Sequence, residues 1–297
     1  MNNFFEFPLG VIAHDAGAAN HIIAWLKGCD HHEMHVCMEG PAAKLWEQSL
    51  ASQINMPLNE IVSRSSMLLT GTGWESTLEH DARKLARVAG VKSAAVIDHW
   101  TNYPERFVHK GETVLPDEIW VTDKYARNIA EDKFPGLKIV QLPNIYLDSM
   151  VRRVRECEQA WQKRTGKHLL YVLEPIREAW GCTKQQGEFQ ALNYFIENLE
   201  LLQLGCDLSI RLRLHPSEPQ GKYDQWIEAN RNIKISIDES STIAESVAWS
   251  DVVVGCQTYA MVVALAAEKK VISSIPPSVP ACILPQTEII KLSDLVH

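Results

Sequence analysis

Residues 251–273 read DVVVGCQTYAMVVALAAEKKVIS. Three valines behind Asp251 make a short, fully apolar run of strand length, and Gly255 ends it. Residues 259–267 are small and apolar with no proline, which suits a buried helix, and residues 271–273 resume an apolar run. A strand, a helix and a second strand in so short a span describe a crossover, which lays the two strands parallel in one sheet. Strands that are apolar throughout, rather than alternating, belong to a sheet covered on both faces.

The same alternation extends in both directions. Towards the N-terminus of this half, strands are expected at 169–173, 208–214, 233–237 and 252–254, separated by helices at 186–204, 223–230 and 242–249. A first half repeats the pattern, with strands at 9–13, 34–38, 67–70, 94–97, 118–122 and 139–142 and helices at 18–26, 42–48, 75–89 and 124–133. Between them, residues 146–164 read as one charged helix ending at Gly166. The fold class is therefore α/β, with two facing Rossmann-like, doubly wound parallel-sheet domains. The first is expected over 1–150, a helical linker over 151–168 and the second domain over 169–297.

Composition agrees. The chain has 297 residues, 46% hydrophobic and 22% charged, enough for two cores of ordinary size. With 29 basic against 37 acidic side chains and a net charge of −8, nucleic acid is not expected as the main partner. The first ten residues, MNNFFEFPLG, lack the basic start and apolar core of a signal peptide. The apolar stretch 252–267 is too short, and interrupted by Gln257, to span a membrane. Seven cysteines without a CxxC pair suggest reduced thiols and a cytoplasmic protein.

In doubly wound sheets ligands bind beyond the carboxyl ends of the strands, which selects the loops 14–17, 70–74, 98–106, 174–181, 215–218 and 255–259. His14-Asp15-Ala16-Gly17 offers a carboxylate at a cleft mouth, suited to take a proton from a hydroxyl, with Gly17 allowing close approach of a ligand. Asp15 acting only as a helix cap is the alternative. Gly71 and Gly73 open a glycine loop that matches neither a dinucleotide fingerprint nor a P-loop, and fits a polar ligand or an ordinary tight turn equally. Asp98, His99 and Arg106, among aromatic residues, resemble the wall of a sugar site, or a structural loop with a satisfied histidine.

Residues 211–218, RLRLHPSE, form the strongest local feature. Arg211 and Arg213 alternate on a strand and point to one face, so they need an anion or a carboxylate, with Glu174 and Asp207 as candidates. His215 lies past the strand end beside the rigid Pro216 and Ser217, placed to hydrogen-bond a departing phosphate. Gly255, Gln257, Thr258 and Tyr259 begin a helix whose N-terminus can hold an anion, unless Thr258 is simply its N-cap. The run Asp30-His31-His32-Glu33-Met34-His35 resembles metal ligands but lies away from the strand ends and reads as a solvated turn. The arginine-rich helix around Arg152, Arg153 and Arg155 is a solvated face, or a peripheral contact with the inner membrane surface. No DxD or HExxH occurs, and no metal or cofactor is expected.

Facing βα domains with these loops resemble the GT-B class of nucleotide-sugar-dependent glycosyltransferases, at the level of architecture over nearly the whole chain. The segment GCQTYAMVVALAAEKKVIS is similar to the donor-binding strand–helix–strand of that class. RLRLHPSE resembles the His-Pro motif of bacterial sialyltransferases and of capsule and lipopolysaccharide transferases. The resemblance implies that His215 assists the leaving phosphate and that Asp15 is the base. It places Glu174, Arg177, Arg211, Arg213, Pro216, Ser217, Gly255, Gln257, Thr258 and Tyr259 on the donor side. It places His14, Gly17, Gly71, Gly73, Asp98, His99 and Arg106 on the acceptor side.

The sequence departs from the family at three places. The acidic pair before glycine is His14-Asp15-Ala16-Gly17, the paired serines are Gln257-Thr258, and the glutamate of many retaining enzymes is Val263. The last points to an inverting enzyme, and with no metal motif the resemblance implies an inverting, metal-independent glycosyltransferase of surface-polysaccharide assembly. Its co-substrate would be a nucleotide-sugar, CMP- or UDP-linked, and its acceptor a glycan or lipid-linked glycan. A nucleotide-sugar 2-epimerase or hydrolase shares this architecture, but its His-x-Glu-Ala-Gly-Leu-Arg stretch has no match in IDHWTNYPERF at 97–107. A non-catalytic sugar-nucleotide-binding subunit is the third reading.

Overall fold

A computed structural model describes residues 4–27, 33–50, 55–73, 75–161, 165–177, 179–180 and 185–296. The chain forms two compact units, Met1–Tyr146 and Leu147–His297.

The first unit contains β1 (Leu9–Ala13), α1 (Ala16–Leu26), β2 (Met34–Met38), α2 (Gly40–Leu50), α3 (Leu58–Arg64), β3 (Met67–Thr70), α4 (Leu78–Ala89) and β4 (Lys92–Val96). A small hairpin of β5 (Val108–His109) and β6 (Glu112–Thr113) precedes β7 (Glu118–Val121), α5 (Lys124–Lys133) and β8 (Lys138–Gln141). The sheet order is β2-β1-β3-β4-β7-β8, and every pair is parallel. β1, β3 and β7 are wholly buried, as expected of strands covered on both faces. One core forms around Trp25 and Trp120 with α1 and α2, and a second beneath α3 and α4 around Ile61, Leu68 and Ala82.

Helix α6 (Ile145–Glu158) begins at the end of the first unit and belongs mostly to the second. The break falls at 146/147 rather than at 150, and the segment expected as a linker is fastened to the second unit. Lys269 Nζ lies 2.5 Å from Glu158 Oε1, and Arg155 lies 3.6 Å from Glu268. The expected helix over 146–164 ends at Glu158 and continues as a 3-10 turn, Gln159–Trp161; residues 162–164 lie outside the described residues.

The second unit continues with β9 (Lys167–Val172), α7 (Gly187–Glu197), β10 (Leu208–Arg213), α8 (Asp224–Ala229) and β11 (Ile235–Ile237). It closes with α9 (Ile243–Trp249), β12 (Val252–Gly255), α10 (Tyr259–Ala266), β13 (Lys270–Ser273) and β14 (Ile290–Lys291). Its order, β11-β10-β9-β12-β13-β14, is again parallel throughout. Tyr171, Leu192, Phe195 and Leu212 centre its core.

Four elements differ from the sequence reading. The seven-residue α3, which buries only Ile61 and Val62, and the two-residue strands of the hairpin are too short to show a period. The helix expected over 186–204 stops at Glu197, and a 3-10 turn, Leu199–Leu202, carries Leu202 into the core. The weak final helix expected in the tail is instead β14 beside β13 followed by a 3-10 turn, with Leu292 fully buried.

Gly10, in the middle of β1, shows how tightly the sheet and α3 meet. A Cβ there would lie 2.3 Å from Leu68 Cδ2 and 2.7 Å from Ile61 Cγ2. Overpacking of this kind costs about 1–3 kcal/mol, so Gly10→Ala is expected to lower unfolding stability by that amount in urea titration.

Candidate functional site

Each sheet has a switch point, where crossovers leave two neighbouring strands in opposite directions and their following loops part to leave a crevice. In the first unit it lies between β1 and β3, and in the second between β9 and β12.

In the first unit, a cleft of about 350 Å³ is lined by Asp15, Ala18, Thr72, Gly73, Asp98, His99, Thr101, Asn102 and Arg106. The loops after β1, β3 and β4 therefore meet, as the sequence reading required. His14 Nδ1 lies 2.7 Å from Asp15 Oδ1. Asp15 occupies the N-cap position of α1 without a side-chain capping bond, so the capping alternative does not describe it. Arg106 is buried; its Nη1 donates to Asp98 Oδ1 at 3.0 Å and to Thr72 Oγ1 at 3.2 Å, and its Nε donates to Thr101 O at 3.1 Å. Asp98 and Arg106 thus form an ion pair at the cleft wall.

The glycines serve a purpose different from the expected one. A Cβ on Gly17 would lie 1.7 Å from Asp98 Oδ2, and one on Gly73 would lie 2.4 Å from Asp15 Oδ2. The space opened by these residues is taken by the protein's own carboxylates. Gly71 similarly admits Glu79, whose Oε1 would be 2.9 Å from a Cβ there.

Two charged residues under this loop were not picked out by sequence reasoning. Glu79, 1% exposed, accepts the His14 N–H at 2.9 Å, and burial holds its carboxyl above the usual range. Arg83, one turn further along α4, donates to Thr70 Oγ1, Gly71 O and Val114 O, and burial lowers it to about 10. Their signal was present: Glu79 and Arg83 stand four residues apart on the α4 face that also carries Ala82 and Ala86.

In the second unit, Arg211 and Arg213 do share a face, as expected, but neither pairs with Glu174 or Asp207. Asp207 stands at the opposite end of β10. Their partner is Asp238, just beyond β11. Arg213 Nη1 lies 2.8 Å from Asp238 Oδ2 and donates to Ser246 Oγ at 2.7 Å, while Arg211 lies 3.7 Å from Asp238 and packs on the Trp249 ring at 4.1 Å. Burial pushes the Asp238 carboxyl up, but hydrogen bonds from Ser246 and Ser240 and the Arg213 charge outweigh it and hold it below the usual range. The arginines have an internal counter-ion and require no bound anion.

Glu174 instead crosses the switch point. Its Oε2 accepts the Gln257 N–H at 3.1 Å, and burial raises its carboxyl. Thr258 caps α10 by accepting the Ala260 N–H at 3.4 Å, the alternative left open for it. Gly255 lies against Val172, and the Gln257 side chain accepts the Ile283 N–H at 3.3 Å. His215, Pro216 and Ser217 are exposed on the turn after β10. His215 Nδ1 accepts the Ser217 N–H at 3.2 Å and lies 2.8 Å from Ser217 Oγ. An amide can only donate, so the neutral ring carries its proton on Nε2, where it can donate in turn. Arg177 is exposed on a left-handed backbone, φ 52°.

No family model matches the chain, and no curated protein matches it by sequence. Solved structures do. The chain is similar to a UDP-GlcNAc 2-epimerase from Neisseria meningitidis bound to UDP-GlcNAc, with a TM-score of 0.57 and 14% identity over 89% of this chain and 82% of that one. It is similar to the S. aureus MnaA–UDP structure at a TM-score of 0.57 and 13% identity, over 89% and 78% of the two chains. A UDP-forming α,α-trehalose-phosphate synthase from Burkholderia xenovorans matches at 0.50 and 11%, over 97% and 88%. The fold is GT-B.

Among the described residues, no cluster of three or more His, Cys, Asp or Glu side chains is arranged to hold a metal ion. Asp30, His31 and His32 lie outside the described residues. No described helix is long and apolar enough to cross a membrane.

The His14–Asp15 contact makes a prediction. The hydrogen bond His14 donates to Asp15, opposed by burial and reinforced by the Asp15 charge, raises His14 above its ordinary 6.5. The stabilisation is fully present below 6.5 and is lost as pH rises through the raised midpoint. Ring NMR is expected to place the His14 midpoint above 6.5, and Asp15→Asn to bring it down. Gly17→Ala is expected to displace the Asp98 carboxylate, seen as a changed Arg106 Nε–H resonance, while the far-ultraviolet circular dichroism stays native.

Proposed function

We propose that the protein is an inverting glycosyltransferase that uses a nucleotide-activated sugar without a metal ion. What chiefly supports this is the first-unit cleft. It presents a candidate base, Asp15, among groups that suit a hydroxyl-bearing ring: His99, Thr101 and Asn102. Burial keeps His99 below its ordinary 6.5, so it is neutral near pH 7 and hydrogen-bonds without adding charge. In the second unit, His215 is exposed and its Nε2–H can donate to an anion.

In this reading Asp15 accepts the proton of the acceptor hydroxyl as its oxygen bonds to the anomeric carbon. The bond from that carbon to the nucleotide phosphate breaks, its electron pair leaves with the phosphate, and His215 hydrogen-bonds the departing oxygen. Arg177 and the start of α10 at Thr258 and Tyr259 complete the donor side. Arg211 and Arg213 act indirectly, by fixing the end of β10 through Asp238.

A 2-epimerase or hydrolase is the second reading. Two carboxylates, Asp15 and Asp98, line one cleft, and removal and return of a proton at one carbon calls for two such groups. The similar UDP-GlcNAc 2-epimerase shows that the fold accommodates that reaction.

Thermal-shift measurements without metal, against CMP, UDP, GDP, TDP and CDP, are expected to show stabilisation by one of them that His215→Ala weakens. No shift with any at millimolar concentration overturns the donor site. With the corresponding nucleotide-sugar, turnover is expected only when an acceptor is added, and Asp15→Asn is expected to lower it about 10²–10⁴-fold with nucleotide binding intact. Sugar epimerised or released without acceptor selects the second reading.

A further inference from the structure

The turn that carries His215 is tied down by a charge cluster that no motif marks. Lys222, which precedes α8, meets two carboxylates whose side chains are each 1% exposed, while its own is 14% exposed. One is Glu188 in the first turn of α7, in direct contact with the ammonium. The other is Glu218, whose Oε2 lies 2.5 Å from Lys222 Nζ. The Phe189 and Tyr223 rings flank the ammonium at 5.7 and 5.4 Å. Each carboxylate residue is also tied to a strand-end loop. Glu218 donates its N–H to His215 O at 2.9 Å, closing the 215–218 turn. Glu188 Oε2 accepts the Arg177 N–H at 2.6 Å, and Gly187 donates to Arg177 O at 2.9 Å. The left-handed Arg177 backbone is thereby held on both sides.

We infer that Lys222 is a positioning residue: through Glu218 and Glu188 it fixes the His215 turn and the Arg177 loop relative to each other, and so presents His215 Nε2–H outward. Two buried carboxylates cannot stay charged side by side without it. Their competing demands place the ammonium at the one point that satisfies both, which sets the register of the β9 and β10 loops within this unit. The inference rests on the donor-side reading of those loops, but its first test does not use a ligand.

Long-range ¹⁵N–¹H NMR of the ligand-free protein is expected to show His215 mainly as the Nε2–H tautomer. Lys222→Met is expected to turn this into a tautomer mixture. Because that variant strands two carboxylates and can unfold the unit, Lys222→Met/Glu188→Gln/Glu218→Gln serves beside it, since neutral side chains of similar size relieve the buried charge. The triple variant is expected to fold, to show the same mixture, and to bind the stabilising nucleotide, CMP or UDP, about as weakly as His215→Ala. Adding His215→Ala to it is expected to cost nothing further, where independent sites would multiply their losses. A folded triple variant that keeps the wild-type tautomer, or whose loss multiplies with that of His215→Ala, overturns the inference. If none of CMP, UDP, GDP, TDP and CDP binds the wild type, the donor-site reading fails, and the tautomer still decides the role of Lys222.

Discussion

A parallel strand pair closes only through a crossover that returns the chain to the same end of the sheet. In both six-stranded sheets every pairing is parallel, so all strand-to-helix loops gather at one end of each unit. Helices cover both faces, and polar side chains that serve a site must therefore stand in those loops or just beneath them. The cost is that several charges become buried at the loop bases, and each has to find a partner.

Each unit meets that demand by pairing charges between neighbouring loops. Asp98 and Arg106 pair across the loop after β4, and Arg106 also donates to Thr72 in the loop after β3. Glu79 holds the His14 amide from α4, and Arg83 holds the Gly71 carbonyl. In the second unit, Asp238 at the end of β11 neutralises arginines of β10. Glu174, from the loop after β9, bonds the amide of Gln257 after β12. These contacts fix the loops in place before any ligand arrives, which is the condition for polar groups to act on a reacting centre without reorganising.

Glycine has a particular part in this. At Gly17 and Gly73 no left-handed backbone explains the missing side chain. A carboxylate from another loop fills the space. The first-unit cleft is consequently acidic at its base, with Arg106 as the cation paired to Asp98, and Asp15 is held by an imidazole that its own charge keeps protonated to higher pH.

Much of the fold was legible in the sequence because buried parallel strands are apolar runs of the right length. The strands at 9–13, 34–38 and 67–70 and helix 124–133 match the expected bounds, and the glycine stop after α4 adopts the left-handed conformation it implied. The loops that meet in the first-unit cleft were also among those selected as following the carboxyl ends of the strands. What the sequence could not supply was the partner of each charge. Arg213 had Glu174 and Asp207 as candidates at equal plausibility, and only the pairing of β10 with β11 brought Asp238 within 2.8 Å. Glu79 lies 65 residues from the His14 amide it holds, and Glu188 lies 34 residues from Lys222, and a local pattern cannot show a contact of that range. The sequence determined which segments become strands and where their loops emerge, because that depends on local hydrophobic period. Tertiary structure decided which charges meet, because that depends on distances set by the register of strands that are remote in sequence.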